Sequence, residues 1–323
     1  MKTCQTIAST RGPTSRVLDL GGPRPERFLR AVVDTVSVRT ILKSRASAQQ
    51  ERALRLRELH DSEGPLVIGN AWDAASARVL ELAGFRAIGT TSAGIAFAHG
   101  YADGQRISAD LMVAAVAEIC RVTSVPVTAD MEAGYGNSPE EIERTTMAVI
   151  RAGAVGLNLE DGTGDPAKPL TDVALQVEKL RAVKQASATL DVDLVLNART
   201  DAYLYSGSAA QKFEETLHRA RSYVSAGADC VFIIGPSDKS TISTFVKELK
   251  CPINILLAPG PLTIPELRDL GVARVSFGSG PMRAGLTLLQ RFASEILSEG
   301  FSSTLKDCIS HAEMNKIMLA DFA

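Results

Sequence analysis

Short apolar runs recur along this chain, each closed by polar residues and separated from the next by a stretch with helical periodicity. Runs at 66–69, 87–91, 125–130, 156–160, 194–198, 230–234, 253–257 and 274–278 are the length of buried β-strands, and the segments between most of them repeat apolar positions at helical spacing. Strands that alternate with helices in this number predict a (β/α)8 TIM barrel. The phrases Leu82-Ala83-Gly84-Phe85, Arg151-Ala152-Gly153-Ala154 and Ser225-Ala226-Gly227-Ala228 mark the same place each time, a helix ending on Gly before the chain re-enters a strand. An amphipathic helix over 46–63, carrying Ala53, Leu54, Leu56 and Leu59, precedes the barrel. Helical segments at 281–297 and 302–320 follow it, and the second is one more than a minimal barrel needs.

The polar residues that close the runs carry the chemistry. Asp130 and Glu132 end the third run, Glu160 and Asp161 the fourth, and Asn197, Arg199 and Asp201 the fifth. In a parallel barrel the carboxyl ends of the strands share one face, where active sites form. Asp130 and Glu132 are two apart and so face one side of an extended strand end. Crowded carboxylates repel one another unless a cation neutralises them, and oxygen ligands with waters suit Mg²⁺ or Mn²⁺. The bland alternatives are a solvated pair or helix cap for Asp130 and Glu132, a helix-start charge for Glu160 and Asp161, and an ion pair of Arg199 with Asp201 or Glu160.

Composition narrows the class. The chain has 323 residues, 45 % hydrophobic and 22 % charged, enough for one barrel with extensions. A net charge of −2 gives no electrostatic reason to expect nucleic acid or an anionic membrane as partner, and no apolar run approaches a membrane span. Cys4, Cys120, Cys230, Cys251 and Cys308 are scattered without C-x-x-C spacing, so neither disulfides nor a zinc site is expected. Residues 1–45 hold nine Lys/Arg against three Asp/Glu and a Gly-Gly-Pro-Arg-Pro break. They read as a basic, flexible extension to a single domain spanning 46–323, with an organellar leader as the alternative. The cytoplasm is the expected compartment.

Five ordered motifs give the chain a family likeness: Asn70-Ala-Trp-Asp-Ala-Ala-Ser-Ala-Arg78; Thr91-Ser-Ala-Gly94 with Tyr101-Ala-Asp103; Asp130-Met-Glu-Ala-Gly-Tyr-Gly136; Leu159-Glu-Asp161; and Ala198-Arg-Thr-Asp-Ala202. In these it resembles the isocitrate lyase/phosphoenolpyruvate mutase superfamily over 46–323. The resemblance implies Mg²⁺ (or Mn²⁺) at Asp130, with Glu132, Asp103 and Glu160 binding directly or through water. It implies that Arg199 grips a substrate carboxylate and that Ser92 with the amides of Ala93 and Gly94 cradles the oxygens of a 2-oxo acid. Trp72 and Asn197 complete the expected substrate contacts, and Arg199, Glu160 and Asp103 the expected catalytic set. Where the family commonly has Asp, this chain has Glu132.

The likeness ends at the loop after Glu160-Asp161. Isocitrate and methylisocitrate lyases carry Lys-Lys/Arg-Cys-Gly-His there, whereas this chain reads Gly162-Thr-Gly-Asp-Pro-Ala-Lys-Pro-Leu170, with no cysteine or histidine. The expectation is therefore C–C cleavage of a small 2-oxo or 2-hydroxy di- or tricarboxylate through an enolate, of the oxaloacetate decarboxylase or methylisocitrate/malate lyase type, with the loop as a short lid. The alternative is a C–P enzyme, a phosphonomutase or phosphonopyruvate hydrolase. Further from these stand a non-catalytic metabolite-binding barrel and a phosphate-binding barrel built on Gly278-Ser279-Gly280. His60, His99, His218 and His311 form no cluster, although His99 follows the second strand. The surplus segment 302–320, with Leu305, Ile309, Ala312, Ile317 and Leu319, resembles the helix that family members exchange between subunits, which implies a homo-oligomer assembled as a dimer of dimers.

Overall fold

The computed structural model describes residues 35–205, 207–260 and 262–320. Of the expected basic extension, residues 1–34 lie outside the described residues. Residues 46–323 form one compact unit. Its sheet is parallel throughout: β1 (Leu66–Val67), β2 (Gly69–Ala71), β3 (Ile88–Thr90), β4 (Val127–Asp130), β5 (Gly156–Glu160), β6 (Val195–Thr200), β7 (Cys230–Ile233), β8 (Ile253–Leu256) and β9 (Arg274–Ser276). β1 pairs with β9 and β2 with β3. The amide of Ile68, between β1 and β2, donates to Val275 O at 2.8 Å, so the two are halves of one strand. That strand bridges both edges of the sheet and closes an eight-stranded TIM barrel, as the spacing of apolar runs predicts.

Alternation along the strands divides the apolar from the polar. Ala129, Leu157, Leu159, Leu196, Ala198, Val231 and Ile255 are buried in apolar clusters. Their neighbours on the other face, Thr128, Asn158, Asn197, Asn254 and Arg274, are buried polar groups inside the barrel. The floor is closed by the part of α1 (Thr35–His60) that follows residue 45, which contributes Ala53, Leu56 and Leu59 to the main core. A side chain at Gly156 would meet Leu56 Cδ2 at 2.8 Å and Thr128 Oγ1 at 2.7 Å, so this strand start admits only glycine. Arg57 ties the same helix to Asp193 at 2.9 Å and Asp229 at 2.6 Å.

Around the barrel run α2 (Ala74–Leu82), α3 (Ser92–Ala98), α4 (Ala109–Arg121), α5 (Pro139–Arg151), α6 (Val173–Thr189), α7 (Ala202–Tyr205), α8 (Ala209–Ser225), α9 (Lys239–Leu249), α10 (Ile264–Asp269), α11 (Gly280–Glu299) and α12 (His311–Leu319). Two expected helices differ in extent. The first begins upstream of residue 46, at Thr35, and stops at His60. The segment 302–320 is not one helix but a 3-10 turn at Ser303–Leu305 followed by α12. Serine breaks it: the Glu295 carboxylate collects Ser302 Oγ at 2.7 Å and the Ser303 amide at 3.1 Å, and Ser310 caps α12 by accepting from Glu313 N at 3.2 Å. Arg78, buried in α2, donates to the carbonyls of Ile317 and Ala320 and so ties α12 to its own chain.

Candidate active site

The ends of β4, β5 and β6 carry Asp130, Glu160 and Arg199 to one mouth. Asp130 ends β4, and its Oδ2 accepts both the Ser92 amide at 3.1 Å and Ser92 Oγ at 2.7 Å. Its own amide donates to Thr90 Oγ1 at 2.8 Å. Oδ1 has only a long contact, 3.5 Å, from Asn158 Nδ2. Ser92 thus secures Asp130 rather than standing open to a substrate. The Gly94 amide is taken as well, since it donates to Thr91 Oγ1, the N-cap of α3, at 3.3 Å. Gly94 is glycine for space: a Cβ there would come within 2.5 Å of Thr91 Cγ2 and 3.0 Å of Trp72 Cβ. Ala93 and the half-buried Trp72 complete this wall, while Asp73 caps α2 through the Ser76 amide at 2.7 Å.

Glu132 does not share an extended strand end with Asp130. β4 stops at Asp130, and Glu132 has φ 50, a left-handed conformation that turns the chain. Its buried carboxylate accepts the Gln105 amide at 2.6 Å and Tyr135 OH at 2.9 Å. Gln105 Oε1 in turn accepts the Tyr135 amide at 2.7 Å, locking the loop after β4 to the loop carrying Asp103. Burial pushes the Glu132 carboxyl up to about 7, and the charges of Asp130 and Asp103 add to this against the Tyr135 hydrogen bond. Sequence reasoning missed Gln105, Tyr135 and Asn158. A Gly-Tyr-Gly turn beside the motif was the available signal for Tyr135, but nothing local marks Gln105. Asp103 itself is exposed in its loop, where Oδ1 accepts the Gly104 amide at 3.0 Å.

Across the mouth, Arg199 donates from Nε and Nη2 to Asp201 at 2.7 and 2.9 Å and pairs through Nη1 with Glu160 at 2.7 Å. The bland alternative for Arg199 is thus realised with both partners, and the guanidinium also faces the Phe232 ring at 5.8 Å. Burial alone would lower the Arg199 pKa; Glu160 and Asp201 hold it above its ordinary value. Burial raises the Glu160 carboxyl well above its ordinary range, with Arg199 opposing and Asp201, Asp130 and Glu132 adding. Asn197 is placed beneath the mouth: fully buried, it donates to Asn158 Oδ1 at 2.9 Å. Asp161 serves structure, accepting from Thr200, Tyr223, Arg219 and the Asp201 amide.

The loop after β5 is self-contained, with a bridge from Gly162 to Leu170 and Thr163 N donating to Pro169 O at 3.0 Å. Its base touches the site, since a Cβ at Gly162 would lie 2.8 Å from Asp201 Oδ2. The Gly278-Ser279-Gly280 segment forms a tight turn into α11, Gly280 N donating to Phe277 O at 3.1 Å. His99 closes α3, its ring Nδ1 3.0 Å from Ile95 O.

Among the described residues, no three Asp, Glu, His or Cys side chains already surround a common point as metal ligands. The donor set nevertheless fits a hard cation. Mg²⁺ uses one or two carboxylates and keeps several waters. Asp130 offers a restrained carboxylate with Oδ1 lightly used, and the charges of Glu132, Glu160 and Asp103 are coupled to one another or to Asp130.

The model for the phosphoenolpyruvate phosphomutase family matches residues 56–297. The chain belongs to this family. It is 36 % identical over 261 residues to an uncharacterized Mycobacterium tuberculosis (H37Rv) protein, covering 81 % of this chain and 95 % of that one. It is 29 % identical over 256 residues to 2-methylisocitrate lyase of Escherichia coli K12, covering 76 % and 84 %. Its fold matches the crystal structure of 2,3-dimethylmalate lyase, a PEP mutase/isocitrate lyase superfamily member, with TM-score 0.74 and 27 % identity over 82 % of this chain and 94 % of that one. Family membership makes the chain an enzyme of this superfamily.

Proposed function

We propose that this enzyme is a cytoplasmic Mg²⁺- or Mn²⁺-dependent lyase that cleaves a C–C bond of a small 2-oxo or 2-hydroxy di- or tricarboxylate. The observation that carries the reading is the pairing at one barrel mouth of a restrained carboxylate, Asp130 held by Ser92, with a carboxylate-binding fork, Arg199 held by Asp201 and Glu160. Asp130 would hold the ion, with Glu132, Asp103 and Glu160 reaching it through water. The ion, when bound, supplies stabilisation for negative charge developing on the substrate carbonyl oxygen. Arg199 keeps further N–H donors with which to grip a substrate carboxylate and orient the scissile bond. Glu160, paired with Arg199 Nη1 at 2.7 Å, stands beside the place that carboxylate would take. The loop at 162–170 supplies no Cys or His acid, so the reading assigns the closing proton to water and to the loop only the exclusion of solvent.

A Mg²⁺-dependent screen for pyruvate, glyoxylate and phosphate, run on oxaloacetate, methylisocitrate, substituted malates and phosphonopyruvate with Asp130→Ala as blank, tests this. Pyruvate or glyoxylate without phosphate is expected. The likeness to a phosphomutase family favours a second reading, a C–P enzyme, for which phosphonopyruvate would release phosphate or rearrange. Silence on every substrate would leave neither reading standing.

Assembly as a homo-oligomer, a dimer of dimers, belongs to the same proposal. Leu297, Phe301, Leu305, Ile309 and Leu319 around α11 and α12 are all more than half exposed in the single chain, an apolar surface that a second copy would cover. A monomeric mass at micromolar concentration would refute it.

A further inference from the structure

We propose that Arg274 is a positioning residue for the metal site, acting through Asn158 to fix the plane of the Asp130 carboxylate. The inference rests on the reading of Asp130 as a metal ligand. Arg274 starts β9 at the barrel floor, is 1 % exposed, and pairs with no carboxylate among the described residues. Burial lowers its pKa, and the charge of Asp130 opposes this. Its Nε and Nη1 have no partner among the described residues. Its one side-chain hydrogen bond among the described residues, from Nη2 at 3.3 Å, crosses the barrel to Asn158 Oδ1.

That bond settles which way the Asn158 amide faces. Oδ1 also accepts Asn197 Nδ2 at 2.9 Å, so two donors converge on it. Arg274 has no acceptor to offer. A flipped amide would set its NH₂ against the Arg274 donor and its carbonyl against the Asp130 carboxylate. Nδ2 therefore faces Asp130 Oδ1, at 3.5 Å. The carboxylate torsion of aspartate is intrinsically soft. Ser92 grips only Oδ2, and the Asn158 amide, 3.5 Å away, is the side chain that faces Oδ1 among the described residues. The floor of the barrel thereby sets the ligand geometry at its mouth.

The test is Mn²⁺ titration of the apo-protein, followed by calorimetry or by the electron-spin signal of the free ion, with melting curves alongside. Asn158→Ala and Asn197→Ala leave every charge in place, and each is expected to weaken Mn²⁺ binding about tenfold, the usual size of an outer-shell effect on a metal ligand. Arg274→Met should weaken it comparably, and the Arg274→Met/Asn158→Ala double variant should be no worse than Asn158→Ala alone. Arg274→Lys, which keeps a donor, should recover part of the loss. Unchanged Mn²⁺ affinity in both asparagine variants overturns the inference, as does unchanged or tighter binding in Arg274→Met, the latter being the result expected if the arginine acted by charge alone. If Arg274→Met does not fold, Arg274→Lys decides: a partial loss of Mn²⁺ affinity that vanishes in an Asn158→Ala background supports the inference, and an unchanged affinity overturns it. Mn²⁺ binding absent from the wild type, or undiminished in Asp130→Ala, overturns the reading of the metal site itself and the inference with it.

Discussion

Arg199 and Arg274 both lie inside the barrel, yet one stands between two carboxylates and the other pairs with none among the described residues. At the mouth, Glu160 and Asp201 hold the Arg199 guanidinium charged, and the proposed function has a substrate carboxylate share or replace one of these like groups. At the floor, burial works against Arg274, and the hydrogen bond it makes goes to a neutral amide. A buried charge with no paired carboxylate among the described residues is costly, and the proposed orientation of Asn158 is what Arg274 would supply in return. The lesson is that charge balance separates the arginine proposed to bind a carboxylate from the arginine proposed to align one.

The sharpest break in this comparison is at Arg199. Arg199→Met should lower kcat/KM on the enzyme's substrate by about 10³-fold or more, roughly 4 kcal/mol of transition-state stabilisation. Arg199→Lys should recover only part, because an ammonium cannot present the planar fork. Mn²⁺ affinity should move far less in Arg199→Met than in the floor variants. Steady-state kinetics beside a metal titration checks this, and activity within tenfold of wild type would remove Arg199 from the substrate site.

The two arginines were not equally legible. Arg199 closes a strand and sits in an ordered motif, so the apolar pattern that delimited β6 also exposed its chemistry. Arg274 opens a strand, where a charged residue looks like the edge of a run facing solvent. Only the register, which sets it opposite Leu66 and Asn254, turns it into the interior. Barrel strands and the helical stops at Gly were readable because burial on the helix-facing side dominates their pattern. Backbone reversal was not. Nothing in Asp130-Met-Glu132 announces that Glu132 takes a left-handed φ of 50, so its pairing with Gln105 and Tyr135 came only from tertiary contacts. The serine breaks that cut 302–320 into a turn and a helix were visible as residues, but not distinguishable from polar positions on an amphipathic face.

His60 sharpens the account of the floor. Its Nδ1 lies 2.8 Å from Leu56 O, which can only accept, so that nitrogen carries the proton of a neutral ring. Burial, with the Arg274 charge adding, brings its pKa down to about 4. The unfolded chain binds the proton near pH 6.5, so His60 costs no stability above that pH. The cost grows as pH falls toward 4, reaching roughly 3 kcal/mol there. The raised carboxyls Glu132 and Glu160 act in the opposite sense, gaining protons in the fold as pH falls, so the isolating measurement is a difference. Denaturant melts of wild type and His60→Gln should converge in slope near neutrality, with the variant losing less stability between pH 6.5 and 4. Parallel stability profiles would show that the ring is not held neutral.

At the mouth wall, Gly94→Ala should cost about 1–3 kcal/mol, because the new methyl meets the Thr91 methyl and Trp72 Cβ in a packed interior. Trp72 is the chain's single tryptophan, so its fluorescence reports the same event. A shifted emission with a lowered Tm is expected, and an unchanged melt would mean that the wall yields.

The smallest effect is expected at Lys168, and it separates two uses of the loop after β5. Lys168 pairs with Asp172 four residues on at 2.8 Å, both side chains more than half exposed, and such pairs are largely screened by solvent. If the loop only excludes water, its cation has no partner in the reaction, and Lys168→Ala should leave kcat/KM within about threefold and Tm nearly unchanged. A C–P enzyme would instead have to meet a dianionic phosphonate, and Lys168 is the cation that loop carries. A loss of a hundredfold, concentrated in KM for a phosphonate and absent for a dicarboxylate, would therefore shift the substrate class while leaving the roles of Asp130 and Arg199 where the strand ends put them.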